Sequence, residues 1–138
     1  IADMLCSKDD KFNMVSKSIS NCKHYLDTNF DLEIASEMEK YARLWNLKEL
    51  KKLNESQIKS SGYVVDTLEA VIWCFLNTDN YRSCVLKAVN LGDDTDTVGA
   101  LAGGLAGLYY GIDGIPKEWV DIIPKKDWII KLTENVFY

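Results

Sequence analysis

Gly92-Asp93-Asp94-Thr95-Asp96-Thr97-Val98-Gly99-Ala100-Leu101-Ala102-Gly103-Gly104-Leu105-Ala106-Gly107-Leu108 is the stretch on which the reading of this chain turns. Its first third is dense in short acidic and hydroxyl side chains, and the remainder is small and apolar. Gly99, Gly103 and Gly107 stand four residues apart, so they share one face of a helix, and Ala102 and Ala106 widen that face. Each interior glycine costs a helix about 1 kcal/mol relative to alanine. Three on one stripe therefore call for a compensating contact, and close approach of a neighbouring helix backbone supplies it. A membrane helix with a G-x-x-x-G face is excluded, because the apolar run is too short and Asp94 and Asp96 precede it directly.

Working outward, the helical period recurs almost everywhere and the strand period almost nowhere. Upstream, Phe12, Val15, Ile19, Cys22 and Leu26 form the stripe of a first amphipathic helix, with Asp9 and Asp10 at its N-terminus and Thr28-Asn29 at its end. A second helix is expected from about Asp31, with Ala35, Met38, Ala42 and Trp45 as its apolar stripe. Residues 46–61 read as a polar connector with a short helical turn. A third helix is expected near Asp66, where Asp66 and Glu69 have capping-box spacing, and Leu68, Val71, Ile72, Phe75 and Leu76 make its apolar face. Asn77-Thr78-Asp79-Asn80 is a turn, and Tyr81, Cys84, Val85, Ala88 and Val89 belong to a fourth helix, stopped at Gly92. Downstream, Pro116 suits the first turn of a short helix through Trp119 and Val120, and residues 127–137 read as a last helix. The expectation is one all-α domain over residues 1–138.

The 138 residues carry a formal net charge of −5, a poor match to nucleic acid, whose phosphates call for clustered Lys and Arg. Glu49 and Glu55 interrupt the one basic stretch, residues 48–59, which reads as a solvated face. No apolar run spans a bilayer. Cys6, Cys22, Cys74 and Cys84 include no C-x-x-C pair, which argues against zinc and for free, mostly buried thiols in a reducing cytoplasm. Ile1-Ala2-Asp3-Met4 lacks an initiator Met and a signal sequence, so the chain is expected to begin inside a longer protein. His24, the sole histidine, reads as a surface residue of its helix and leaves little for a Ser-His-Asp arrangement.

Chemistry concentrates in the acidic cluster. One Asp at a helix start is an ordinary cap. Three Asp and two Thr over residues 93–97 exceed what capping needs. Hard oxygen donors at that spacing suit Mg²⁺ or Ca²⁺. An EF-hand loop from Asp94 fails, since Val98 and Leu105 stand where oxygen ligands are required. Asp94-Thr95-Asp96-Thr97-Val98 also matches the motif of haloacid-dehalogenase-like phosphatases, but here a helix end precedes it where that family has an apolar strand. Ser61-Gly62-Tyr63, just before a helix, is either a ligand platform or a core contact.

The ordered blocks Ser61-Gly62-Tyr63-Val64-Val65-Asp66-Thr67-Leu68-Glu69-Ala70, Trp73-Cys74-Phe75-Leu76, Ala88-Val89-Asn90-Leu91-Gly92-Asp93-Asp94-Thr95-Asp96-Thr97-Val98-Gly99-Ala100, Gly103-Gly104-Leu105-Ala106-Gly107 and Tyr109-Tyr110-Gly111 resemble the ADP-ribosylglycohydrolase family, which includes the dinitrogenase reductase-activating glycohydrolases. The resemblance covers residues 60–119 and places the chain in the C-terminal half of such a protein. It implies an orthogonal all-α bundle, here incomplete, with a two-metal magnesium centre. The family's D-x-D-T motif falls on Asp94, Asp96 and Thr97, the two aspartates being the implied catalytic carboxylates and all three residues the metal ligands. Gly62 and Tyr63 resemble the segment that lines the ADP-ribose pocket. Asp93 stands where many relatives carry a small residue and is assigned no metal. The implied reaction is hydrolysis of the glycosidic bond between ADP-ribose and a modified protein side chain or small conjugate. The family's other ligand motif, Thr-Asp-Asp, lies in an N-terminal half and has no counterpart here. Either that half of the same protein or a second chain must complete the site, or the protein is an inactive ADP-ribose-binding or structural relative, as certain lens crystallins are.

Overall fold

Asp10 begins the first helix by placing its carboxylate over the free backbone N–H groups of Phe12 and Asn13, at 2.9 and 3.1 Å. The computed structural model describes residues 9–29 and 32–134, with only the backbone of residues 32–35. Among these residues the elements are helices α1 (Lys11–Asn29), α2 (Leu32–Glu39), α3 (Leu47–Lys52), α4 (Val64–Leu76), α5 (Tyr81–Asn90), α6 (Thr95–Tyr110), α7 (Lys117–Asp121) and α8 (Lys126–Glu134). Single 3₁₀ turns lie at Glu55–Gln57 and Ile112–Gly114, and no strand occurs among the described residues. The all-α expectation therefore holds.

The centre is a three-helix packing unit in which α4, α5 and α6 all touch one another, with α3 against α4. Phe75 is fully buried at its heart, with Tyr109 packed edge-on at 5.4 Å between ring centres. Val71, Ile72 and Leu76 of the expected α4 face are buried, while Leu68 is 39% exposed. The glycine stripe of α6 meets α5. A Cβ on Gly99 would lie 2.8 Å from Val89 Cγ1, one on Gly103 3.3 Å from the Tyr81 hydroxyl, and one on Gly107 3.7 Å from the Tyr81 ring. Tyr81, Val85 and Val89 thus sit in the groove left by the missing side chains, and the close approach recovers what the glycines cost the helix.

Helix α1 is held to this unit by Met14 and Val15, which are buried, and by Lys11. The Lys11 ammonium donates to the Thr78 carbonyl and lies 3.3 Å from the Asp79 carboxylate. The Tyr110 hydroxyl donates to the same carbonyl at 3.3 Å. Helices α1 and α6 therefore converge on the turn between α4 and α5.

Three further details differ from the sequence expectations. The second helix stops at Glu39, where the Trp45 indole N–H donates to the Met38 carbonyl at 3.1 Å and the chain continues in single turns. Ala42 is consequently exposed, and Leu44 takes the buried position. Helix α4 begins two residues before Asp66, with Tyr63 at its N-cap, so Asp66 and Glu69 form no capping box. Asp66 instead accepts from the Ser61 hydroxyl at 2.7 Å, and Glu69 is turned inward toward Arg43 at 3.5 Å. Cys22 is exposed, unlike the buried Cys74 and Cys84, because the lower half of α1 projects beyond the core. The last helix is described only to Glu134, so the expected residues 135–137 lie outside the described residues.

Candidate functional site

The turn between α5 and α6 is built from two consecutive residues in the left-handed region, Gly92 at φ 87° and Asp93 at φ 52°. Asp is one of the few residues with a Cβ that enter this region readily, which gives Asp93 a local backbone role. The turn reverses the chain and sets Asp94 at the N-cap of α6, with Asp96 and Thr97 in the first helical turn. The Asp94 carboxylate makes no regular N-cap hydrogen bond and leans on Thr97 and Asp96 in the first turn.

A second turn comes to meet the first. Ser60, nearly fully buried, accepts the Asp94 backbone N–H on its carbonyl at 3.0 Å and donates its hydroxyl to the Gly92 carbonyl at 3.0 Å. Gly62 follows at φ 77°, and a Cβ there would collide with the Asp94 carboxylate, its Cγ being 3.2 Å away. Tyr63 then caps α4 and is 49% exposed. The N-termini of α4 and α6 therefore converge, with Gly62 and Tyr63 on one side and Asp94, Asp96 and Thr97 on the other. These five residues, spread over some thirty-five positions of sequence, form one patch. Sequence reasoning missed Ser60, the residue that ties the two turns together. A Ser immediately before a Ser-Gly pair carries no pattern that separates it from loop polarity.

The Thr97 hydroxyl, followed by Asp96, holds the Asp94 carboxyl below the ordinary carboxylate range. Asp94 is thus an ionised acceptor at neutral pH, and Asp96 and Thr97 are exposed beside it. This donor set fits magnesium in kind and falls short in number. It offers two carboxylates and one hydroxyl, whereas Mg²⁺ takes six oxygens, several of them commonly water. Among the described residues no group of three or more His, Cys, Asp or Glu side chains gathers into a metal site. From Gly62 and Thr97 a groove of about 850 Å³ runs away between α1, α4 and α6, with mostly apolar walls. No helix of the described residues is long and apolar enough to cross a membrane.

An all-α bundle that presents an oxygen-rich acidic patch between two helix N-termini defines a class of helical proteins whose site offers hard oxygen donors of the kind divalent cations take. Residues 4–138 match the ADP-ribosylglycohydrolase family, and the chain belongs to that family. It is 47% identical over 95 residues to the ADP-ribosylarginine hydrolase Tri1 of Serratia proteamaculans (strain 568), a match covering 69% of this chain and 26% of the relative. It is 47% identical over 68 residues to the ADP-ribosyl-[dinitrogen reductase] glycohydrolase of Rhodospirillum rubrum, covering 49% and 23%. The human ADP-ribosylhydrolase ARH3 is 28% identical over 75 residues, covering 46% and 21%. The chain spans about a quarter of the length of the curated relatives it matches.

Proposed function

We propose that this chain forms the C-terminal part of a magnesium-dependent ADP-ribosylglycohydrolase, which hydrolyses the glycosidic bond between ADP-ribose and a modified protein side chain. The observation that carries this reading is the apposition of Gly62-Tyr63 and Asp94-x-Asp96-Thr97 across the two helix starts, because it sets a bare glycine and an exposed aromatic ring beside hard oxygen donors. The names of the relatives point to ADP-ribosylated arginine and ADP-ribosylated protein as the substrate type.

Under this reading, Asp94, Asp96 and Thr97 hold magnesium, with the remaining ligands supplied by the N-terminal half of the same protein. Bound there, the metal would hold ribose hydroxyls and a water and offset the charge that develops at the reacting centre. Asp94 stays ionised, so it accepts hydrogen bonds or binds cation and does not serve as the proton donor. The half-exposed Tyr63 ring offers a face for stacking, and the side-chain-free Gly62 lets a ligand approach the backbone. In the overall reaction the bond from the anomeric carbon to the protein atom breaks, the water oxygen bonds to that carbon, and the leaving atom receives a proton. Buried free thiols at Cys74 and Cys84 support a cytoplasmic setting for this activity.

The test is release of ADP-ribose from an ADP-ribosylated arginine peptide by the complete protein, with and without Mg²⁺. Release that requires Mg²⁺ and disappears in Asp94→Asn is expected. Binding of ADP-ribose without turnover in the complete protein would overturn the hydrolase reading and favour a binding role.

A further inference from the structure

The groove between α1, α4 and α6 exposes apolar side chains that a folded protein ordinarily covers. Val64, Leu68, Leu101 and Leu108 all line it, and Leu101 is 52% exposed. Its floor contains Gly104, above which a Cβ would meet nothing within 4 Å. Helix α6 thus carries small residues on two faces. One receives the side chains of α5 on Gly99, Gly103 and Gly107, and the other, at Ala100 and Gly104, lies open.

Thr67 adds an independent observation. It lines the same groove at 4% exposure, and its hydroxyl is the buried side-chain polar atom without a hydrogen-bond partner among the described residues. Buried hydroxyls are ordinarily paired, so this one points to a polar group that arrives with whatever fills the groove. On α6 the groove follows residues 97 to 108, about 17 Å at 1.5 Å per residue, which is the length of a three-turn helix. A further helix between α4 and α6 would repeat the packing that α5 makes on the opposite side.

We infer that this groove seats an amphipathic α-helix of the same polypeptide, from a part of the ADP-ribosylglycohydrolase fold outside residues 1–138, with one polar side chain paired to Thr67. The matched 95 residues are 26% of the Serratia proteamaculans relative, so the family's polypeptide has ample chain to supply it. The groove begins at Gly62 and Thr97, so the seated helix ends beside the acidic patch and can deliver side chains to it.

The test is thiol labelling of the full polypeptide as isolated from its host, in a Cys22→Ser background. Leu101→Cys, Leu108→Cys and Val64→Cys are made separately, so failure of one variant to fold leaves the others. Ile122→Cys, at a position 77% exposed, is the reference. Each groove thiol is expected to react at least about tenfold more slowly than the reference. A thiol-directed cross-linker placed there should join a helical peptide of the same polypeptide outside residues 1–138. Labelling at the reference rate would overturn the inference, and so would cross-links to a second copy or to a different protein. Protection lost on removal of a small molecule would do the same. Asp94→Asn should leave the protection intact, so failure of the hydrolase reading and failure of this one are separate results.

Discussion

The Asp94 carboxylate rests against the bare Cα of Gly62, in the space where any other residue would place its Cβ. The same contact joins the two halves of the patch, and Gly62 is also in the left-handed region. Gly62→Ala should therefore destabilise the protein by about 2 kcal/mol, from backbone strain and the displaced carboxylate together. It should also lower ADP-ribose release. Chemical denaturation and the release assay check both. A variant with unchanged stability would mean that the two turns are not in contact.

Asp94→Asn and Asp96→Asn each keep the side-chain shape and remove a charge from the proposed metal shell. Outer-sphere partners of metals alone are worth about ten- to a hundredfold in affinity or activity, so loss of a ligand should reduce Mg²⁺-dependent turnover at least about a hundredfold. The melting temperature should change little, because neither carboxylate is buried and an Asn oxygen can still accept at the helix start. Unchanged turnover in both variants would remove the metal assignment.

Gly103→Leu should lower stability by about 3 kcal/mol, since its Cβ alone would already press on the Tyr81 hydroxyl and touch Val85, leaving no room for the rest of the side chain. Gly99→Ala adds only a methyl group, at 2.8 Å from Val89 Cγ1, and should also destabilise despite the better helix propensity of alanine. Thermal melts of the two variants test whether α5 and α6 are as close as described.

Glu69 is 7% exposed, and burial pushes its carboxyl above the ordinary glutamate value of 4.5, with Arg43 pulling the other way. The folded chain therefore holds this proton more tightly than the unfolded chain. Its contribution is fully present below pH 4.5 and is lost as pH rises through the raised value. Glu69→Gln removes that loss, so its melting temperature should gain on the parent protein as pH increases. Arg43 keeps its 3.0 Å bond to the Gln57 carbonyl in the variant. A constant difference across pH would show that Glu69 is ionised in the fold at no cost.

Cys74 and Cys84 are fully buried, and burial pushes the Cys74 thiol up to about 12 and the Cys84 thiol upward as well. Neither should react with a thiol reagent in the native protein, whereas the exposed Cys22 should react readily. Peptide mapping after labelling distinguishes them, and modification of Cys74 without unfolding would contradict the packing of α4.

Much of this architecture is legible in local pattern. The α6 glycines announce a close neighbour because their spacing and their cost to the helix are both local facts. Asp10 and Pro116 mark helix starts because start signals depend only on the next few residues. The early end of α2 and the inward turn of Glu69 are less legible. Trp45 reaching the Met38 carbonyl and Arg43 reaching Glu69 depend on how the chain folds back.

The sequence by itself determined the helical class, the presence of a close neighbour on the α6 glycine face and the identity of the acidic cluster, because helix periodicity, glycine spacing and side-chain donor chemistry reside in neighbouring residues. Tertiary structure alone decided that Ser60 and Gly62 meet Gly92 and Asp94, that Thr67 is left without a partner, and that an apolar groove opens beside the patch. These depend on how close two distant turns and three helices come in space. That closeness follows from packing over the whole core, and no local stretch of sequence encodes it.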